Sequence, residues 1–416
     1  MAQIFPFRAY RYSKRAGDPA CLLTQPYDKI TPEMQQRYLA LSPYNVAHII
    51  RGPATPEDDD RNNVYTRAAR HLEDWIRCGI LVQEQQPLFF AYFQKFELPG
   101  KPGRAYLRKG LIALGAVEDY SQGTVYRHEL THSGPKRDRL ELLRHTRAHF
   151  GQIFMLYDDP QSEVDARLEA AAQAEPLVCV KDEYGAEHSL WPLSRPETIM
   201  EIQRLLEPCK LLIADGHHRY ETALAFRDEN PNLAGARRVM MTLVNMRSPG
   251  LAILPTHRVV GNIADFDAER VVREAKRFFS VEEQSSLESL EARMERASPG
   301  QTAIGALFRA NHKIYLFTRN NEPRLDVSVL HEDLLAKILG LTDEAVREER
   351  NIRYIRGFRE AARELNAPGA QAVFFLNPAK IDQVAKVAFS GGVMPQKSTD
   401  FFPKLLSGLT IYKIEE

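Results

Sequence analysis

The apolar run Leu211-Leu212-Ile213-Ala214 passes without a spacer into Asp215-Gly216 and then into His217-His218-Arg219-Tyr220-Glu221-Thr222-Ala223-Leu224. A short apolar run of this kind reads as a buried strand, glycine supplies the turn, and a helix follows. A strand that turns directly into a helix is the repeating unit of α/β architecture. The alternation recurs, with strands expected at 88–93, 107–117, 153–157 and 239–244, and helices after Thr31-Pro32 and around Leu140 and Leu143. After about residue 262 helical segments (268–279, 285–297) alternate with strands (302–308, 313–318, 372–376), and a last helix lies near 380–389. The fold class is therefore α/β, or α+β if the layers segregate. At roughly 150 residues per domain, 416 residues make two to three domains. The run Leu98-Pro99-Gly100-Lys101-Pro102-Gly103 reads as a turn or a seam, and the expected division is 1–105, 106–260 and 261–416. The acidic run Thr55-Pro56-Glu57-Asp58-Asp59-Asp60 is expected to cap the helix carrying Val64, Leu72, Trp75 and Ile76.

Composition excludes several function classes. Lys+Arg and Asp+Glu each number 55, so the formal net charge is zero. Binding to a nucleic-acid backbone needs clustered uncompensated positive charge, so DNA or RNA is not the expected partner. No apolar stretch approaches the roughly 18 residues of a membrane span. The opening residues lack a signal-peptide core, and a cytoplasmic protein is expected. Cys21, Cys78, Cys179 and Cys209 are scattered, which argues against a disulfide framework or a structural zinc site. There is no G-x-S-x-G pattern, and His145 and His149 lack a third metal ligand.

Four segments remain as candidates for chemistry. The Asp215–Leu224 box places free backbone N–H groups and a glycine at a helix start, where anions bind. His217, His218 and Arg219 sit at the end of the helix where the dipole disfavours cations, a conflict that a bound phosphate resolves. The bland reading has both histidines bonded to backbone or carboxylates in a loop. The second segment is Arg127-His128-Glu129-Leu130-Thr131 with Pro135-Lys136-Arg137-Asp138-Arg139. A Glu beside basic groups can take a proton from a hydroxyl, although spacing alone favours a solvated helix start. The third is Asn245-Met246 with Leu254-Pro255-Thr256-His257-Arg258, polar groups just past a buried strand. Ordinary capping explains it equally well. The fourth is Met394-Pro395-Gln396-Lys397-Ser398-Thr399, followed by Pro403-Lys404. A P-loop is rejected because Gln396 stands where its second glycine belongs. Lys397, Ser398 and Thr399 remain as phosphate contacts or as a surface loop.

These phrases, together with Pro26-Tyr27-Asp28, Ser42-Pro43-Tyr44-Asn45-Val46 and Leu243-Val244-Asn245-Met246, resemble a prokaryotic family designated domain of unknown function 1015. The Asp215-Gly216-His217-His218-Arg219 box, within about residues 110–245, is in turn similar to the phosphate-binding box of the ParB/sulfiredoxin fold. Sulfiredoxin has a catalytic Cys where this chain has His217, so the resemblance does not extend to redox chemistry. ParB proteins match only partly. The free-serine kinase of that fold matches fully, and its upstream His-Glu is similar to His128-Glu129.

The resemblance implies a ParB/sulfiredoxin-like nucleotide-binding core over 106–260, flanked by further α/β segments. It implies a serine kinase-like phosphotransferase acting on free serine or phosphoserine. Glu129 would be the base, with Asp215, His217 and His218 also catalytic. ADP or ATP would be held by Gly216, His217, His218 and Arg219, and Mg²⁺ would be bound through Asp215. Asn245, His257, Arg258, Lys397, Ser398 and Thr399 would complete the nucleotide contacts. Two alternatives stay open: a ParB-like nucleotide-gated DNA-binding or regulatory protein, and a phosphoserine phosphatase that needs no nucleotide.

Overall fold

A computed structural model describes residues 1–129, 133–298, 300–320, 322 and 324–415. Leu130 and Thr131 of the second candidate segment lie outside them. The chain divides into two compact units, Met1–Ala252 with Pro403–Glu416, and Ile253–Phe402.

The first unit is built on a nine-stranded mixed sheet. In chain order its strands are β1 (Ile4–Phe5), β2 (Phe89–Leu98), β3 (Lys101–Ala116), β4 (Val125–Tyr126), β5 (Ile153–Tyr157), β6 (Val178–Lys181), β7 (Glu187–Leu193), β8 (Leu211–Asp215) and β9 (Arg238–Asn245). Their spatial order is β4-β8-β5-β9-β3-β2-β7-β6, and β1 pairs along β3. Two pairs are parallel, β8 with β4 and β9 with β5; the others are antiparallel. All five residues of β5 are buried, which is why this strand is a continuous apolar run rather than an alternating one.

One sheet face carries Leu111, Ile153, Met155 and Ile213. It packs against the helices α1 (Glu163–Ala171), α2 (Pro196–Leu206) and α3 (His217–Glu229) through Leu168, Ile202 and Tyr220. On the opposite face the Arg108 guanidinium lies 4.7 Å from the Phe154 ring centroid. The C-terminal stretch returns to this unit through bridges of Ser407 to Thr24 and Ile411 to Tyr10, and through Tyr412 paired with His149. Ile411 joins a second core with Val46, Leu72, Trp75 and Phe150.

The second unit holds a six-stranded antiparallel sheet. Its spatial order is Ser280–Gln284, Ile314–Arg319, Thr302–Phe308, Ala370–Leu376, Thr256–Gly261 and Ile352–Arg356.

The mixed α/β class agrees with the sequence reading, and three local readings are corrected. The run 98–103 is the tip of the β2–β3 hairpin, with Gly100 at φ +77°, so position 105 lies inside a strand and the chain divides at 252/253 and 402/403. The acidic run does not cap the Val64–Arg77 helix. Asn63 does, in a capping box with Thr66, while Asp58 is drawn off by Arg67 at 2.7 Å. β6, β7 and α2 were not expected, because the polar segment around 182–187 that joins the two strands hid their pairing.

Two measurements follow from this packing. Ile213 is fully buried in β8, and Ile213→Ala is expected to cost about 2–5 kcal/mol, read as a lowered urea midpoint. Fully buried His128 and His257 lie in different units. Burial pushes their pKa values down to about 4 and about 3 respectively. Such histidines are neutral when folded and bind protons only after unfolding. Their contribution to stability is complete above about pH 6.5 and is lost as the pH falls from there towards 4 and below. The urea midpoint should fall steadily over that window, and His257→Gln should reduce the slope by about one proton.

Candidate functional site

Leu211 to Ala214 are buried on both faces of the sheet, and the chain leaves β8 at half-exposed Asp215. Gly216 turns it at φ +95°, in the left-handed region that a side chain resists. A Cβ there would also lie 3.0 Å from Nε of Arg219. Gly151 faces the same guanidinium from another side, where a Cβ would lie 3.3 Å from Arg219 Nη1 and 3.3 Å from Ser407 Oγ. Arg219 therefore occupies a slot between two glycines, and its Nη1 donates to the Gln152 carbonyl.

This corrects the picture of a bare backbone cradle. The Gly216 N–H donates to Asp215 Oδ1 at 2.9 Å, and the outer side of the bend is covered by Arg219. An approaching anion meets side-chain cations. Asp215 Oδ2 lies 3.2 Å from Lys404 Nζ and 4.0 Å from Arg219 Nη2. Burial alone would raise the Asp215 pKa. Lys404, Arg219 and Lys29 override it and hold the carboxyl far below the usual carboxylate range.

The cationic surroundings of Asp215 do not suit Mg²⁺, which binds through hydrated carboxylate oxygens. Among the described residues no group of three or more His, Cys, Asp or Glu side chains can hold a metal. In the structure Asp215 is the counter-ion of Lys404 and Arg219.

The histidines also differ from expectation. His217 is buried at the first position of α3, with its ring edge-on to His128 at 4.7 Å between centroids. His128 Nδ1 is 2.8 Å from the Ile213 carbonyl, so that nitrogen carries the hydrogen. Burial, reinforced by His128, holds His217 well below its ordinary pKa. The conflict with the helix dipole is thus resolved by neutrality. His217 offers hydrogen bonds rather than charge, and its buried Nε2 has no partner among the described residues. His218 is half-buried and accepts from Thr222 through its carbonyl.

Parallel pairing of β4 with β8 makes both strands end at the same edge. The chain exits Arg127–Glu129 and Asp215–Arg219 are therefore neighbours, a relation no local pattern encodes. Half-buried Glu129 follows directly on His128. Buried Glu221, one turn along α3, is shared by Arg127 at 3.3 Å and Lys136 at 2.7 Å. Beside Arg219 opens a cleft of about 570 Å³ including its mouth, lined by Tyr27, Arg139, Leu142, Phe150 and Ser407 among others. The Arg139 guanidinium stacks 4.1 Å from the Tyr27 ring centroid.

The remaining candidates are engaged elsewhere. Asn245 braces a loop: its Oδ1 accepts from the N–H groups of Asp159 and Arg247, and its Nδ2 donates to the Asp159 carbonyl. In the second unit, His257 is a core residue whose Nδ1 accepts from Leu376 N–H at 3.2 Å, between the rings of Phe358 and Phe375. Arg258 is buried and donates to the carbonyls of Thr256, Gln396 and Lys397. Lys397 adopts φ +55° in that turn, Ser398 Oγ donates to the Pro395 carbonyl, and Thr399 follows it. Arg258 and Ser398 hold this loop together through its own carbonyls. Sequence reasoning gave no role to Lys404, Ser407 or Gln152. Only Lys404 carried a signal, as the basic residue after Pro403.

No curated protein matches the chain in sequence. Among solved structures, a free serine kinase variant in complex with ADP is 16% identical, with 67% of this chain and 84% of that chain covered and a TM-score of 0.36. A conserved hypothetical protein from Pyrococcus furiosus is 13% identical, with coverages of 68% and 91% and a TM-score of 0.36. C-terminally truncated SbnI from Staphylococcus aureus is 11% identical, with coverages of 70% and 84% and a TM-score of 0.34. Overlaps this partial carry no activity across. The family profile described as protein of unknown function (DUF1015) matches residues 4–334, and the chain belongs to that family.

Proposed function

We propose that this protein is a phosphotransferase acting on a small hydroxy amino acid, with free serine or phosphoserine as substrate and a nucleotide as phosphate donor or acceptor. The observation that carries the reading is charge: Arg219 and Lys404 converge on the single carboxylate of Asp215 at a strand-to-helix turn, beside a cleft of about 570 Å³. That excess of positive charge suits a phosphate chain, and the cleft opens beside it.

In the forward direction the serine hydroxyl oxygen forms a bond to the terminal phosphorus. The bridging P–O bond of ADP or ATP breaks, releasing AMP or ADP. Glu129 takes the hydroxyl proton. Arg219 and Lys404 stabilise the charge on the phosphoryl oxygens, and neutral His217 supplies a further hydrogen bond through Nε2. Phosphoryl transfer depends mainly on positioning and charge stabilisation, so these groups suffice without a covalent nucleophile.

The test is to incubate purified protein with serine and ADP or ATP, and in reverse with phosphoserine and AMP or ADP, while following phosphoserine. Nucleotide-dependent turnover is expected. Glu129→Gln should lower kcat by about 100-fold or more, the usual worth of a positioned base, with ADP affinity little changed. Phosphoserine loss that continues without nucleotide would assign the site to a hydrolase. No turnover in either direction with any nucleotide would overturn the proposal.

A further inference from the structure

The C-terminal residues 403–408 are fixed in the first unit by hydrogen bonds to buried polar side chains. Arg108 on β3 is 1% exposed. Its Nη2 donates to the Pro403 carbonyl and its Nε to Gln94 Oε1 at 2.8 Å. Gln94 is itself buried, and its Nε2 donates to the Lys404 carbonyl at 2.9 Å. Consecutive carbonyls, those of Pro403 and Lys404, are thus held from one sheet face.

A second chain of hydrogen bonds fixes the next turn. Leu406 N–H donates to Tyr92 Oη at 3.3 Å, and Tyr92 Oη donates to His188 Nδ1 at 2.6 Å. His188 Nε2 donates to Asp182 Oδ2 at 3.1 Å. The tautomer is set by Asp182, whose carboxylate only accepts, so the hydrogen is on Nε2 and Nδ1 is left to accept from Tyr92. Backbone bonds from Ser407 to Thr24 and from Gly408 to Phe150 complete the anchorage.

Burying a guanidinium is expensive: burial pushes the Arg108 pKa down to about 9, against the pull of Tyr92 and Asp215. An arginine here needs a reason beyond packing. Its result is that the backbone at Lys404 is held through two successive carbonyls, and the side-chain stem carries Nζ from there. Nζ lies 3.2 Å from Asp215 Oδ2, where Asp215 is also the partner of Arg219.

From this geometry we infer that Lys404 is a phosphate-contacting residue of the site, and that Arg108, acting through Pro403 and Gln94, is the positioning residue that holds it there. The inference rests on the proposed anion site but not on the identity of the reaction. Without ligand, Lys404 rests on Asp215. With ligand, it turns its ammonium to the phosphate oxygens while Asp215 keeps Arg219.

The test uses the full chain and inorganic pyrophosphate, with affinity measured by calorimetry and serine turnover measured separately. Lys404→Gln should weaken pyrophosphate binding by about 10-fold or more, the usual loss of a charged hydrogen bond, and Lys404→Arg should recover part of it. Arg108→Lys should weaken binding in the wild-type background and have no further effect when combined with Lys404→Gln, because residues acting through one group are non-additive. If Arg108→Lys does not fold, Gln94→Leu removes the Lys404 carbonyl bond and takes its place in the cycle. Wild-type affinity in Lys404→Gln would overturn the inference, as would a wild-type protein that does not bind pyrophosphate. Equal losses from Arg108→Lys in both backgrounds would overturn the positioning role. Pyrophosphate binding that depends on Lys404, without serine turnover, would sustain this inference and remove the proposed reaction.

Discussion

The first unit turns on one carboxylate. Asp215 sits at the end of a buried strand and feels Lys404, Arg219 and Lys29, which come from widely separated parts of the chain. Cations crowded at this point without a counter-ion would repel one another, and the half-exposed carboxylate gains from each of them. Each makes the other tolerable, so the helix start, the N-terminal segment and the C-terminal stretch are bound to one point. The same carboxylate sets the character of the bend. Because Asp215 Oδ1 takes the Gly216 N–H, the turn offers its side-chain cations outward rather than that amide.

The histidines show how burial changes the meaning of a motif. In the sequence, two histidines and an arginine at a helix start read as three positive charges opposing a dipole. In the fold, His217 lies against His128 and both are desolvated, so neither carries charge. Arg219 cannot lose its charge, and its Nη1 is turned back onto a carbonyl. The positive potential at the bend therefore comes from Arg219 and Lys404. His217 keeps an unused nitrogen in a dry place, where a hydrogen bond is strong once made.

Much of the architecture was legible because it is local. The strand–turn–helix at 211–229 and the strand at 153–157 follow from apolar runs and a glycine, and the structure places them there. What was not legible is non-local. The nearness of His128-Glu129 to the Asp215 box depends on the parallel pairing of Val125–Tyr126 with Leu211–Leu212, which neither segment encodes alone. His257 and Arg258 looked like ligands because polar residues follow an apolar strand. Their hydrogen bonds to Leu376 and to the 396–397 carbonyls come from segments more than a hundred residues away. Position 105 looked like a boundary because Pro and Gly mark turns and seams alike.

The C-terminal stretch carries the last step. A terminal segment is ordinarily the part of a domain that frays first. Here it is held by buried Arg108 and Gln94, by the Tyr92–His188–Asp182 chain, and by bridges to Thr24, Tyr10 and His149. Such anchorage orders residues that add little to the sheet itself, since only Tyr412–Lys413 form a strand there, and that strand pairs outside the main sheet. Its clearest consequence is at Asp215, where Lys404 arrives with its backbone already fixed. A lysine on a loose tail would reach the same point only by losing conformational entropy each time. Fixing it during folding moves that cost away from the binding step, which is the general advantage of a pre-organised site.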